Sequence, residues 1–124
     1  MKLYRVMKVD VDGKPLEGSG SMMLGLRPTD PSQPHKHFDV LAMTGRDVVR
    51  PGEGGLSCYE KPAAITIQLN KKLILWLIET EVLSSALIGK PAGPPHYHIE
   101  PSGDMTLDEF QMLIADTRDH WIRD

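Results

Sequence analysis

The chain lacks most of what would assign it at a glance. It has a single cysteine, Cys58, in 124 residues. No internal disulfide can form, and one cysteine does not define a redox compartment. There is no apolar run of the ~18 residues that a membrane-spanning helix needs. The opening stretch Met1-Lys2-Leu3-Tyr4-Arg5 has no signal-peptide apolar region. Positive charge is not in excess. The formal net charge of −3 argues against a nucleic-acid backbone or an anionic membrane as a general partner. Also missing are a glycine-rich phosphate loop with its lysine, a His-Glu-x-x-His pair and a Cys-x-x-Cys pair.

Turn residues are plentiful. The 11 glycines and 10 prolines are scattered between apolar segments, which indicates many turns in one compact domain over residues 1–124. No internal repeat or linker interrupts it. Residues 2–11 read as a strand, closed by a turn at Asp12-Gly13. Met22 to Leu26 reads as a short strand stopped by Pro28, and Phe38 to Ala42 as another. Val48-Val49 precedes a turn at Pro51-Gly52. Ala63 to Leu69 alternates, with Ile65, Ile67 and Leu69 on one side, which predicts a half-buried strand. Leu73 to Ile78 is a continuous apolar run, fitting a strand buried on both faces, with a helix reaching Leu87 as the alternative. Lys90 to Pro95 reads as a loop and His96 to Glu100 as a strand. Thr106 with Glu109 forms a capping box, and Phe110, Leu113, Ile114, Thr117 and Trp121 form an apolar stripe at helical spacing. The fold class is α+β: short, mostly antiparallel strands with one C-terminal amphipathic helix packed on them.

Several residues carry chemistry. Arg5 shares a strand face with Leu3, Met7, Val9 and Val11. If that face is buried, the guanidinium needs a partner, and a phosphate or ribose hydroxyl would serve. If Tyr4 and Val6 face the core instead, Arg5 is simply exposed. Gly54-Gly55 permits positive φ and a close backbone approach ahead of the Ser57 hydroxyl. The same pattern also makes an ordinary turn with a surface serine. Two His-x-His pairs stand out, His35/His37 and His96/His98, and Glu100 continues the second row. On a strand such residues share a face about 7 Å apart, close enough to share a metal. The stretch "GPPHYHIE" resembles the start of a cupin metal motif, but the later glutamate and further strands of that motif are missing. Cys58 reads as inert packing, because no base stands near it in sequence.

Three stretches in order, "LYRV", "FDVLAMTGRDVVRPGEGGLSCYEKP" and "PPHYHIEPSGDMTLDEFQMLI", together resemble the small NAD-dependent cytostatic toxins exported by type VI secretion. Those toxins have an ADP-ribosyltransferase-like fold. The most specific matches are Pro51, Gly54, Gly55 and Ser57, with Tyr59 at an aromatic position, then His96-Tyr97 with Ile99 and Pro101. The resemblance implies a split mixed β-sheet with a nicotinamide cleft between its halves. It implies NAD as cofactor, held by Arg5, Arg27, Gly54, Gly55, Ser57, Tyr59 and His96. Glu100, His98 and Ser57 become the catalytic set. Leu56 stands where the toxins have threonine, and Arg27 or Lys36 stands for their second arginine.

On that footing the activity would be ADP-ribose transfer to an acceptor in a target cell, or NAD hydrolysis, in competition between bacteria. The protein would act in the cytoplasm of producer and target, leave without a cleavable signal peptide, and have a cognate immunity protein as partner. Membrane and nucleic-acid partners are not implied. Two other readings stand beside it: a metal-binding β-rich protein using His96, His98 and Glu100, and a non-catalytic binding module on the same fold.

Overall fold

The computed structural model describes all residues from 1 to 124. The first strand, β1 (Lys2–Lys8), forms a seven-pair antiparallel ladder with β4 (Leu73–Glu79), running from Lys2–Glu79 to Lys8–Leu73. It ends short of Val11 because the chain turns there. Asp10 N–H donates to Lys14 O, and Gly13 takes a φ of +81°, open to glycine without strain. Around this pair a six-stranded sheet is built in the order β5-β6-β3-β1-β4-β8. Its other strands are β3 (Leu56–Tyr59), β5 (Leu87–Pro91), β6 (His96–Pro101) and β8 (Ile122–Arg123). A second sheet pairs β2 (Val48–Val49) with β7 (Met105–Thr106) and leads into α1 (Leu107–Asp116).

Strand alternation assigns the two faces of the large sheet. Leu3 and Met7 of β1, Leu56 and Cys58 of β3, Trp76 and Ile78 of β4 and Ile99 of β6 share one buried face. Against them pack Leu107, Phe110 and Ile114 of α1, with Trp121 beyond its end. Each such side chain contributes about 1.5–3 kcal/mol by leaving water. The two indole N–H groups stay satisfied: Trp76 donates to Met7 O at 3.1 Å and Trp121 to the Thr117 hydroxyl at 2.9 Å. The helix starts as its sequence dictates, with the Thr106 hydroxyl accepting from Glu109 N–H at 3.2 Å.

The structure corrects several expectations. The sheet is not mixed: every neighbouring strand pair runs antiparallel, and the single parallel bridge, Glu17–Leu24, lies outside the strands. β4 is buried on one face only, because α1 covers that face and Leu73, Leu75 and Leu77 on the other stay partly exposed. β5 lies partly in the Lys90–Pro95 stretch read as a loop, because β6 offers it five consecutive partners. Met22–Leu26, Phe38–Ala42 and Ala63–Leu69 are not strands. Met22 and Met23 spend their carbonyls on Lys8 N–H and on Arg5. Val40 makes only an isolated bridge with Gly54. Ile65 and Ile67 keep their alternate covering, but no strand pairs with them.

Candidate functional site

The sheet is narrowest in pairing at its middle. β1 and β3 register only at Tyr4–Tyr59. Further along β1, Lys8 N–H donates to Met22 O, so the segment around Met22 takes over as the neighbour of β1. A cavity of about 180 Å³ lies where β3 and this segment part, bordered by Val6, Ser21, Met22 and Ile67. The residues nominated from sequence that reach it are Arg5, Arg27, Ser57 and Tyr59. They come from separate parts of the chain and meet only through the fold.

Arg5 occupies the core face of β1, and it is neither exposed nor paired with a carboxylate. Its Nη1 donates to Ser57 O at 2.7 Å, and its Nη2 donates to Ser21 O at 3.2 Å and Met23 O at 2.8 Å. Its Nε has no hydrogen-bond partner. Burial lowers its pKa, partly offset by the Asp39 carboxylate. The side chain thus ties β3 to the segment at 21–23 across the parting of the strands. Arg27 is also engaged: its Nε and Nη2 donate to the two oxygens of Asp39 at 3.2 and 3.1 Å. Asp39 escaped the sequence reading. The "FDV" match that carried the resemblance contains it, but nothing in the spacing linked it to Arg27.

On the opposite face of the sheet from Arg5, Ser57 stands directly across from His98 and Tyr59 across from His96. The Tyr59 and His96 rings meet with centroids 5.0 Å apart. His98 Nδ1 lies 3.9 Å from Glu100 Oε2, and Glu100 Oε1 accepts from Gly52 N–H at 3.1 Å. Ser57, His98 and Glu100 therefore form a row that starts at the cavity and leads away from it toward β5. His96, His98 and Glu100 do not border the cavity itself.

Gly54 and Gly55 do not border it either. Gly54 has φ +109°, and a Cβ there would collide with Asp39 O. A Cβ on Gly55 would collide with Ile99 O. Both glycines serve close packing of backbone on backbone. No group of three His, Cys, Asp or Glu side chains is assembled to hold a metal ion, so the His96, His98, Glu100 row is not gathered as a ligand set. His35 and His37 are exposed on a loop. The Cys58 thiol is fully buried and pushed up to about 12, so it is no nucleophile. Ile67 borders the cavity without having been nominated, because its alternation read as strand packing.

A volume of about 180 Å³ is below the ~300 Å³ at which pockets for whole small molecules begin. The cavity accepts one ring-sized group, and the rest of any larger ligand would lie outside it. No helix is long and apolar enough to cross a membrane. Comparison of the chain with protein-family models, with curated proteins and with solved structures gives no match.

Proposed function

We propose that the chain is an NAD-dependent ADP-ribosyltransferase-like toxin domain of the kind exported between competing bacteria, with its sheet a compact antiparallel variant of the split sheet of that fold. The observation that supports this reading is the meeting of Arg5, Arg27, Ser57 and Tyr59 at one cavity where β1 and β3 part. The cavity suits the nicotinamide end of NAD. Ser57 then binds the adjoining ribose, Tyr59 lies against the ring, and the Arg27–Asp39 pair edges the path of the pyrophosphate. His96 and His98 line the way out along β6.

In the reaction the bond from ribose C1′ to the nicotinamide nitrogen breaks, and its electron pair neutralises the pyridinium ring. An oxygen of the acceptor or of water bonds to C1′ and loses its proton. Positive charge develops on the ribose in between, and a carboxylate such as Glu100 stabilises it. Glu100, held by Gly52 N–H, keeps a fixed orientation for that task, and His98 stands beside it. NAD is the cofactor, the acceptor lies in the target cell, and an immunity protein would act by covering the cavity.

The test is nicotinamide release from NAD by the purified chain, together with growth of bacteria expressing it in the cytoplasm. Wild type releases nicotinamide and arrests growth. Ser57→Ala and Glu100→Gln each lower turnover by at least about 100-fold while leaving the fold intact. Full activity in the Ser57→Ala, Glu100→Gln double variant would overturn the assignment. A second reading, a non-catalytic binding module, draws on one observation: both arginines already have partners within the chain, Arg5 in three carbonyls and Arg27 in the Asp39 carboxylate. NAD binding without turnover, or recovery of a protein partner without NAD binding, would favour it.

A further inference from the structure

The cavity at the parting of β1 and β3 has more positive charge beside it than the chain balances. Two guanidinium groups, Arg5 and Arg27, border it. The one carboxylate beside them, Asp39, accepts from the main-chain N–H, Nε and Nη2 of Arg27. Arg5 is only 7% exposed and meets uncharged carbonyls alone, and its buried Nε has no partner. Burial lowers the Arg5 pKa most, and the nearby Arg27 charge lowers it further. A buried cation without a counter-charge is costly, and an anion in the cavity would supply one. We propose that the cavity binds a small aromatic carboxylate.

The lining sets both halves of that ligand. Of its five N–H donors Arg27 spends two on Asp39, at Nε and Nη2, and keeps three. A free guanidinium edge takes a carboxylate through two parallel hydrogen bonds. Arg5 engages the carbonyls of Ser21 and Ser57, while the hydroxyls of these two serines make no hydrogen bond within the chain and remain to be used. Val6, Met22 and Ile67 form an apolar wall beside the Tyr59 ring. Inorganic phosphate would leave that wall unused, and a neutral ring would leave the cation uncompensated. A ring bearing one carboxylate answers both, and about 180 Å³ holds one such ring. The binding itself does not need the NAD reading. On that reading, a ring carboxylate takes the place of the nicotinamide end and so restrains turnover.

The experiment is an amide NMR titration of the full chain with sodium benzoate, compared with benzamide and with inorganic phosphate at matched ionic strength. Saturable shifts are expected at Val6, Met22, Ser57, Tyr59 and Ile67, with a dissociation constant of about 0.1–1 mM, the range open to a ligand this small. Benzamide and phosphate should each bind at least about tenfold more weakly. Arg27→Lys keeps a charge beside Asp39 but loses the planar fork, and should weaken benzoate about tenfold with the circular dichroism unchanged. If that variant fails to fold, the comparison of the three ligands on the wild-type chain decides alone. The proposal is overturned by absence of saturation up to about 20 mM, by benzamide or phosphate binding as tightly as benzoate, or by full benzoate affinity in folded Arg27→Lys. In nicotinamide release, benzoate should raise the KM for NAD and leave kcat unchanged. Benzoate binding without NAD turnover removes the NAD reading and keeps the carboxylate site. Turnover that saturating benzoate leaves untouched removes the competition.

Discussion

Arg5 donates to three carbonyls from two segments and has no carboxylate partner. Removing it strips donors from carbonyls held near the core, at about 1–3 kcal/mol for each group left unsatisfied. Loss of the desolvated cation offsets part of this. Arg5→Ala should therefore cost about 2–4 kcal/mol, and the melting temperature of a chain this size falls by about 4 °C for each kcal/mol. Thermal unfolding followed by circular dichroism checks it. An unchanged melting temperature would show that the carbonyls find water without loss. The same reasoning makes Ser57, whose carbonyl is engaged by Arg5 but whose side chain faces the cavity, the cleaner position for testing activity. The sequence showed that Arg5 shares a face with Leu3 and Met7, hence that burial would demand partners. It could not show that the partners are main-chain oxygens, since carbonyls leave no mark on residue identity. Arg27 and Asp39 show no pairing in the sequence for a related reason: they stand 12 positions apart along a loop, and only the fold brings them together.

Among the elements, α1 was the most legible, because its cap, stripe and first-turn acids all lie within one short span. Thr106→Ala should lower stability by about 1 kcal/mol, the usual worth of such a cap. Glu109→Ala should cost much less, since its backbone N–H, not its carboxylate, makes the bond to Thr106. Urea unfolding of the two variants separates them. The segments at 22–26, 38–42 and 63–69 were misread because strand formation depends on a neighbour, which no local pattern supplies. The turn after β1 gives a pH dependence. Arg118 grips Asp12 through both carboxylate oxygens and also reaches Asp10 and Pro15 O. The hydrogen bond from Arg118 holds the Asp12 carboxyl below its ordinary value. Asp12 is therefore stabilising above the unfolded value of about 3.9, and that contribution is lost as pH falls through the lower folded value. Arg118→Ala should lower stability by the same small amount across about pH 6 to 8, where the Asp12 contribution is fully present, and flatten the decline below about pH 4, where wild type loses it. An equally steep acid decline in the variant would place the sensitivity elsewhere, Asp47 with its Met43 and Thr44 N–H bonds being the next candidate.

At the scale of the molecule, antiparallel α+β architecture with a C-terminal helix was readable from periodicity. The position of the cavity was not, because it arises where one strand gives way to an irregular segment as the neighbour of β1. The six-stranded sheet is in effect two three-stranded ribbons, β5-β6-β3 and β1-β4-β8, registered together at one position and stapled by one guanidinium. Solvent deuterium should distinguish them. Amides of β1 and β4, joined by seven pairs, should exchange slowest, and those of β3 and β6 should open earlier as a separate unit. Uniform protection across all four strands would contradict this. If the ribbons do open separately, a ligand at the parting between them is a hinge pin. It would slow exchange in both ribbons at once, and occupancy could then be followed through amides far from the cavity.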